Sequence, residues 1–282
     1  MISKSPASTT CSFLMFVNDR CSGVIVMVTV FGVLLGLAAA ATAGTLDDVK
    51  KHGKLVAGVK TDFPPFGYVD AQGKNLGFDV ELGHLFAQAL FGDPGKVEFV
   101  AVTSGNRIPF LQSGKIDIII ATVTITDERR QVVEFSDPYF LSGSLLLVPK
   151  ASPIKDVKEL GGKTVAVIQG AIQDQDVAQL APQANRVKFG KVSEAVLAVK
   201  GGRADAYVHD DVLLLSLVKD NPELKVVGKP FIPRPYGIAV RKGDTEFIGW
   251  VNGQLQKMRA DGTYDRLWKR YFGEVESNLV KP

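Results

Sequence analysis

Short apolar segments alternate with segments of helical periodicity along most of this chain. The helical pattern is clearest over residues 79–91, where apolar side chains recur at helical spacing and mark one face. Alternation of this kind predicts an α/β fold whose parallel sheets are covered on both faces. The strand candidates are residues 54–60, 96–102, 116–121, 164–169, 186–190, 205–210 and 224–228. The other helix candidates are residues 107–113, 173–180, 193–200, 211–220, 244–260 and 263–272.

Two extended segments that contain prolines divide this pattern. They are "SGSLLLVPKASP" (142–153) and "GKPFIPRPYGIAVRKGD" (228–244), and we expect the chain to cross between two lobes there. Lobe 1 would comprise residues 44–148 and 237–282, and lobe 2 residues 149–236. Each lobe would carry its own small, mostly parallel sheet flanked by helices. Ligands of open α/β sheets lie beyond the carboxyl ends of the strands, so we expect a binding cleft between the lobes.

The first 43 residues differ from the rest of the chain. A long apolar stretch covers residues 23–44, and the small residues at 41–43 fit a cleavage site. This pattern predicts a secretory signal peptide over residues 1–43, and the alternative is a transmembrane anchor. We therefore expect a periplasmic protein.

Cysteine content and charge narrow the class further. Both cysteines, Cys11 and Cys21, precede the predicted cleavage site, so the mature chain would have no disulfide. The formal net charge is only +3, and the chain has no block of like charge. We therefore expect no nucleic-acid partner.

The segment "ATVTITDERR" (121–130) follows a run that reads as a buried strand. Thr122 and Thr124 would share one side of an extended segment, and Thr126 would cap a helix beginning at 127. Arg129 would then lie in the first helical turn, close to the threonines. Hydroxyls, backbone N–H groups and a guanidinium together suit a carboxylate ligand. The alternative is a β-branched strand end beside a solvated arginine.

Three motifs, found in order, resemble those of the periplasmic solute-binding proteins of family 3, which serve polar amino acid ABC importers. They are "GFDVEL" (77–82), "ATVTITDERRQVVEFSDPYFLSG" (121–143) and "DGTYDRLWKRYFG" (261–273), and the resemblance covers residues 45–275. It implies the type II periplasmic-binding fold, in which two lobes joined by two crossing strands close on the ligand. It also implies a monomer without cofactor or metal that delivers an amino acid to a membrane permease with its ATPase.

The same resemblance assigns roles to individual residues. Arg129 would bind the α-carboxylate of the ligand, with Thr122 and Thr124 beside it. Asp210, in "DAYVHDD", would bind the α-ammonium; its alternative role is to cap the helix at 211, which Asp211 could equally serve.

Aromatic side chains form a second group of candidates. Phe63 would stack on the aliphatic part of the ligand, and Phe66 could do so or belong to the core. His209 is interpreted as structural, because a lone histidine is more often structural than a ligand contact.

The resemblance also suggests the ligand class. Many family members carry Asp where this chain has Lys60, and "TSGNRIPFLQSG" (103–114) resembles the glutamate- and aspartate-binding members. There Ser104 and Arg107 would reach a side-chain carboxylate. Three cations, Lys60, Arg107 and Arg129, would face one anion, Asp210, which favours glutamate or aspartate over glutamine. The alternatives are a solvated Arg107, a Lys60 at the rim, and glutamine or another polar amino acid as the ligand.

The second-lobe loop "VIQGAIQD" (167–174) departs from acidic-ligand relatives, because Ala171 and Ile172 stand where those often have threonines. Gln173 or backbone N–H groups would meet the α-carboxylate instead.

Two other function classes are alternatives to a binding protein. A periplasmic cyclohexadienyl dehydratase uses the same scaffold and needs a general acid in the cleft, but Glu81 lies in a common family motif and no catalytic set is apparent. A sensor module would need a segment that transmits the signal, and the chain ends soon after its last predicted helix. We therefore expect a binding protein and no catalytic residue.

Overall fold

The computed structural model describes residues 45–273. Its strands, in chain order, are β1 (Leu55–Val59), β2 (Asp62–Phe63), β3 (Gly67–Val69), β4 (Asn75–Leu76), β5 (Val97–Ala101), β6 (Ile118–Thr124), β7 (Val133–Phe135), β8 (Phe140–Pro149), β9 (Thr164–Ile168), β10 (Asn185–Phe189), β11 (Ala206–Asp210) and β12 (Leu224–Arg241). Its helices are α1 (Thr45–His52), α2 (Phe78–Phe91), α3 (Arg107–Gln112), α4 (Asp127–Arg130), α5 (Gln173–Leu180), α6 (Val192–Lys200), α7 (Asp211–Asp220), α8 (Thr245–Ala260) and α9 (Thr263–Phe272). A 3-10 turn covers Val157–Leu160.

The main sheet has two parallel halves. β1 pairs in parallel with β5 and β6, and β9 pairs in parallel with β10 and β11. Helices α2 and α3 pack on the first half, and α5 and α6 pack on the second. The two-lobed α/β fold predicted from the sequence is thus confirmed.

The expectation of two separate sheets is wrong. β8 and β12 pair antiparallel along most of their lengths, and each also pairs with a strand of one half. The order β10-β9-β11-β8-β12-β6-β1-β5, with β7 beside β12, therefore forms one hydrogen-bonded sheet of nine strands. The crossing strands are the middle of the sheet and not only a linker, and the predicted strand 224–228 continues to Arg241.

Burial explains the strand sequences. Every residue of β6, "IIIATVT", is buried, as expected for a strand covered on both faces. Leu82 and Phe86 of α2 are fully buried against this half of the sheet. The helix ends at Gly92, whose left-handed backbone suits glycine and whose N–H donates to the carbonyl of Gln88. The sheet and α2 hold the ends of β1 and β6 in fixed positions, next to the cleft.

The predicted leader, residues 1–43, lies outside the described residues. Within residues 45–273, no helix combines the length and the apolar character that crossing a bilayer requires.

Candidate ligand-binding site

The two lobes touch each other across the cleft. Arg129 Nη2 donates to the carbonyl of Gly170 over 3.0 Å, and the N–H of Val192, at the start of α6, donates to Asp62 over 3.1 Å. A cavity of about 530 Å³ opens beside Arg129 and is lined by both lobes, including Ser104 and Ile172. Of the nine predicted site residues, Ser104 and Arg129 line this cavity.

Thr122 is held in an unusual backbone conformation. Its φ of 48° lies in the left-handed region, where a β-branched residue is strained. Its N–H donates to Asp79 Oδ2 and to the Tyr139 hydroxyl, each over 3.2 Å. Its carbonyl accepts from Arg107 Nη1 over 3.2 Å, and the same nitrogen donates to Ala121 over 2.6 Å. The expectation of a continuous extended segment is therefore wrong at Thr122, because side chains hold both polar groups of this residue.

Arg129 lies where the sequence predicted. Thr126 caps α4, since its hydroxyl accepts from the Arg129 N–H over 3.2 Å. The guanidinium donates to the Thr124 carbonyl over 2.8 Å and to Gly170 of the other lobe. α4 has only four residues, so its dipole adds less to anion binding than the sequence analysis assumed.

Lys60 and Ser104 are paired and buried. Lys60 Nζ donates to Ser104 Oγ over 2.8 Å and lies 5.6 Å from the centre of the Phe63 ring. Burial, followed by the nearby charge of Arg107, lowers the pKa of Lys60 to about 7. The interpretation of Lys60 as a solvated rim residue is wrong, because its side chain is almost fully enclosed.

Arg107 is buried as well, and it is not solvated. One amino group of its guanidinium is bonded to the carbonyls of Ala121 and Thr122, while its Nε has no hydrogen-bond partner among the described residues. Burial and the charge of Arg129 lower the pKa of Arg107 to about 9. Arg107 therefore supports the end of β6, and its buried Nε is left to donate to a ligand.

Asp79 is a site residue that the sequence analysis missed. It is fully buried in the first turn of α2 and accepts from Thr122. Burial raises the pKa of its carboxyl to about 7, against the hydrogen bonds of Tyr139 and Thr122. Its position was a usable signal, because it lies three residues before Leu82 and so on the helix face predicted to be buried.

Asp210 lies on the second lobe in a hydrogen-bonded network. Gln173 Nε2 donates to Asp210 over 2.9 Å and to Ser144 over 3.3 Å. Burial would raise the pKa of Asp210, but the charge and hydrogen bond of His209 and the bond from Gln173 outweigh it, so the pKa is lowered. Asp210 makes no capping bond, whereas Asp211 accepts from the N–H at 212 over 2.8 Å. Gln173 thus holds Asp210 in place, although the sequence analysis assigned it to the α-carboxylate.

The aromatic candidates separate into two roles. Phe66 packs among other aromatic rings and belongs to the core, for example 4.8 Å from Phe140. Phe63 lies at the lobe boundary, with its ring centre 5.1 Å from that of His209. His209 Nδ1 accepts from the Asp210 N–H over 2.7 Å, and its buried Nε2 has no hydrogen-bond partner in the described part of the chain. His209 therefore has a structural contact on one nitrogen and no partner among the described residues on the other.

Hydrogen bonds join eight of the nine predicted site residues in four pairs. The pairs are Lys60 with Ser104, Arg107 with Thr122, Arg129 with Thr124, and Gln173 with Asp210. Phe63, the ninth, contacts the ring of His209. Within residues 45–273, no cluster of three or more His, Cys, Asp or Glu side chains is placed to hold a metal ion. The arrangement offers cationic donors on one side and a carboxylate on the other, as a zwitterionic ligand requires.

The chain is similar to known proteins over most of its length. Residues 55–274 match the bacterial extracellular solute-binding proteins, family 3. The chain is 39% identical over 264 residues to the ABC transporter glutamine-binding protein of Bacillus subtilis, covering 89% of this chain and 96% of that protein. It is 42% identical over 204 residues to the glutamine-binding protein of Geobacillus stearothermophilus, covering 72% and 78%. Among solved structures, an ancestral arginine-binding protein bound to glutamine is similar with a TM-score of 0.75 and 45% identity, covering 79% of this chain and 99% of that one.

Proposed function

Because the chain belongs to the bacterial extracellular solute-binding proteins of family 3, we propose that it is the amino-acid-binding component of an ABC importer and that glutamine is its ligand. The proposal replaces the acidic amino acid favoured by the sequence analysis with the alternative considered there. Relatives whose names state glutamine binding motivate the change, and the charges of the site support it.

The observation that carries the proposal is the charge balance around Lys60. The sequence analysis counted Asp210 as the only anion, but the carboxylates of Asp62 and Asp79 also act on Lys60 and oppose the lowering of its pKa by burial and Arg107. One amino group of Arg107 donates to the backbone carbonyls of Ala121 and Thr122. The positive charge that the first lobe offers to a ligand side chain is therefore partly offset, and a neutral amide fits it better than a carboxylate.

A cationic ligand is disfavoured by the same residues. Lys60 and Arg107 are both buried next to the cleft, and a third buried cation would meet their charge in a medium that screens it weakly. We therefore expect arginine to bind less well than glutamine, although an ancestral arginine-binding protein is among the similar structures.

The remaining roles follow from the contacts. We assign Arg129 and the end of β6, with Thr122 and Thr124, to the α-carboxylate, and Asp210 to the α-ammonium. Lys60 and Ser104 would donate to the amide oxygen of the side chain, and Phe63 would cover its aliphatic part. Glutamine would stabilise the closed arrangement by joining the charged groups of both lobes.

The closed protein would then deliver its ligand to a membrane permease driven by an ATPase, and we propose that it acts as a monomer in the periplasm. The relatives it matches are binding proteins, and we propose no catalytic role.

Calorimetry on the purified protein, unfolded and refolded to remove copurified amino acid, tests the proposal. We expect micromolar or tighter binding of L-glutamine, with L-glutamate and L-arginine at least about tenfold weaker, a difference of about 1.4 kcal/mol. Preferred binding of arginine, or silence for all three, would contradict it.

A second candidate is an acidic amino acid, favoured by the hydrogen bond between Lys60 and Ser104 and by the free Nε of Arg107. Tighter binding of L-glutamate or L-aspartate than of L-glutamine in the same experiment would select it.

A further inference from the structure

Four contacts in series connect Asp210 to β12, the strand that crosses between the lobes. Arg234 of β12 forms an ion pair with Asp176 over 2.7 Å, and Ser144 Oγ donates to Asp176 over 2.6 Å. Gln173 Nε2 donates to Ser144 Oγ over 3.3 Å and to Asp210 Oδ1 over 2.9 Å. Asp176, Ser144, Gln173 and Asp210 are all buried, so water competes little for these bonds.

The direction of the hydrogen bonds fixes the order in which these residues act. A carboxylate paired with an arginine only accepts, so the hydroxyl of Ser144 must donate to Asp176. The serine oxygen then accepts from Gln173, whose amide nitrogen must face it. The second hydrogen of that nitrogen is thereby directed at Asp210. The orientation of Asp210 therefore depends on where Asp176 is held.

Arg234 lies where β12 passes from one lobe to the other. Two residues later, Tyr236 pairs with Thr124 of β6 in the first lobe. The register of β12 against β8 shifts between Phe231 and Arg234, and Ile232, between them, has a φ of 47°. A β-branched residue is strained in this left-handed region. The guanidinium is thus attached to an irregular part of the crossing strand, and a hinge movement there would displace it from its carboxylate partner.

We propose that Arg234 is a positioning residue for the α-ammonium of the ligand: its ion pair with Asp176 fixes the hydrogen bonds that orient Asp210. The inference rests on the proposed function, because it needs Asp210 to bind that group. Arg234 acts through its neighbours and not as a ligand contact. Because it lies on the crossing strand, the ammonium site is complete only in a lobe arrangement that keeps this ion pair.

The test is a double-mutant cycle of Arg234→Ala and Gln173→Ala, in which calorimetry gives the dissociation constants of L-glutamine and L-glutamate. Substitutions that act along one path are not additive, whereas independent ones are. In the matched control cycle, Lys229→Ala takes the place of Arg234→Ala and removes a cation from an exposed residue of the same strand. Arg234→Lys keeps a cation beside Asp176 and tests for rescue.

We expect R234A to weaken both ligands by about fivefold, because both present the same α-ammonium. With Q173A alone weakening them by about tenfold, the double variant should also lose about tenfold, and not the roughly fiftyfold of independent effects. R234K should recover most of the affinity, and K229A should bind within about twofold of the wild type. Independent effects of R234A and Q173A would overturn the inference.

Ser144→Ala keeps the inference testable if R234A fails to fold. It leaves the ion pair of Arg234 with Asp176 in place but removes the oxygen between Asp176 and Gln173, so both ligands should weaken by about fivefold. A purely structural role of Arg234 predicts that R234A lowers the free energy of unfolding and leaves both dissociation constants unchanged. That result, or wild-type affinities in S144A, overturns the inference.

Failure of the proposed function is recognised in the wild type alone. A wild-type protein that binds no amino acid overturns the proposed function and the inference with it. A wild-type protein that prefers glutamate contradicts the assignment of glutamine, yet the two cycles measured with glutamate still support or overturn the role of Arg234, because the α-ammonium is the same.

Discussion

The two faces of the cleft hold their charges in opposite ways. On the first lobe, burial brings the pKa of Lys60 and of Asp79 to about 7 and that of Arg107 to about 9. On the second lobe, His209 and Gln173 outweigh the burial of Asp210 and lower its pKa. One face carries charges that burial disfavours, and the other carries a charge that hydrogen bonds stabilise.

This difference indicates that the two lobes recognise different parts of the ligand. The network of Gln173, Asp210 and Ser144 is satisfied within the protein, so it offers a fixed anion to any α-ammonium. Two charges of the first lobe, those of Lys60 and Asp79, have pKa values near neutral pH, so small changes there alter the net charge next to a ligand side chain. We infer that the second lobe recognises the common part of an amino acid and the first lobe selects the side chain.

Removing Arg129 should have the largest effect on this division. Arg129→Ala deletes the cation assigned to the α-carboxylate and also the contact with Gly170 across the cleft. We expect glutamine binding to weaken by at least about a hundredfold, measured by calorimetry.

The matched control is Arg130→Ala, since Arg130 is the next residue and is exposed. It should bind glutamine within about twofold of the wild type. Equal losses in the two variants would mean that general attraction, and not a defined contact, explains the role of Arg129.

The second prediction concerns the support of the second lobe. Asp176 of α5 is fully buried; it forms an ion pair with Arg234 of β12 over 2.7 Å and accepts a hydrogen bond from Ser144 over 2.6 Å. Arg234→Ala leaves this carboxylate with one partner, so the free energy of unfolding should fall by about 2–3 kcal/mol in urea denaturation. Lys229→Ala, at an exposed residue of the same strand, should change it by less than about 0.5 kcal/mol.

The third prediction concerns pH and the first lobe. Because the folded state raises the pKa of Asp79 from its usual value near 4 to about 7, it binds the proton more tightly than the unfolded state. The contribution of Asp79 to stability is therefore fully present below about pH 4 and lost as the pH rises to 7. Lys60 acts oppositely: its lowered pKa favours the folded state as the pH rises from 7 toward 10.

Urea denaturation of the ligand-free wild type and of D79N from pH 4 to 8 isolates the contribution of Asp79. We expect D79N to gain on the wild type by roughly 4 kcal/mol across this range, whatever constant offset the lost charge causes. A difference that does not change with pH would show that Asp79 ionises as easily in the folded as in the unfolded chain.

The sequence predicted elements with local causes and missed features that arise from distant contacts. The helices over 173–180 and 211–220 and the cap at Thr126 depend on neighbours in sequence, and the structure has them at those positions. The continuous nine-stranded sheet depends on pairing between β8 and β12, which glycine and three prolines in the second segment obscured. One hydrogen bond between residues far apart in sequence links the left-handed backbone of Thr122 to the buried carboxylate of Asp79. The sequence around either residue alone therefore does not predict this contact.

The prediction with the smallest expected effect tests whether Asp210 of the second lobe is held in its binding position before the ligand binds. Gln173→Ala removes the donor that holds Asp210 but leaves His209 Nδ1 at 3.2 Å from Asp210 Oδ2, so Asp210 loses part of its orientation and keeps its charge. We expect glutamine and glutamate to weaken together by about tenfold, because both present the same α-ammonium to Asp210. Gln175→Ala, at an exposed residue of the same helix, is the control and should bind like the wild type. If Gln173→Ala instead changed the ratio between the two ligands, the second lobe would also read the side chain, and the division between the two faces would have to be abandoned.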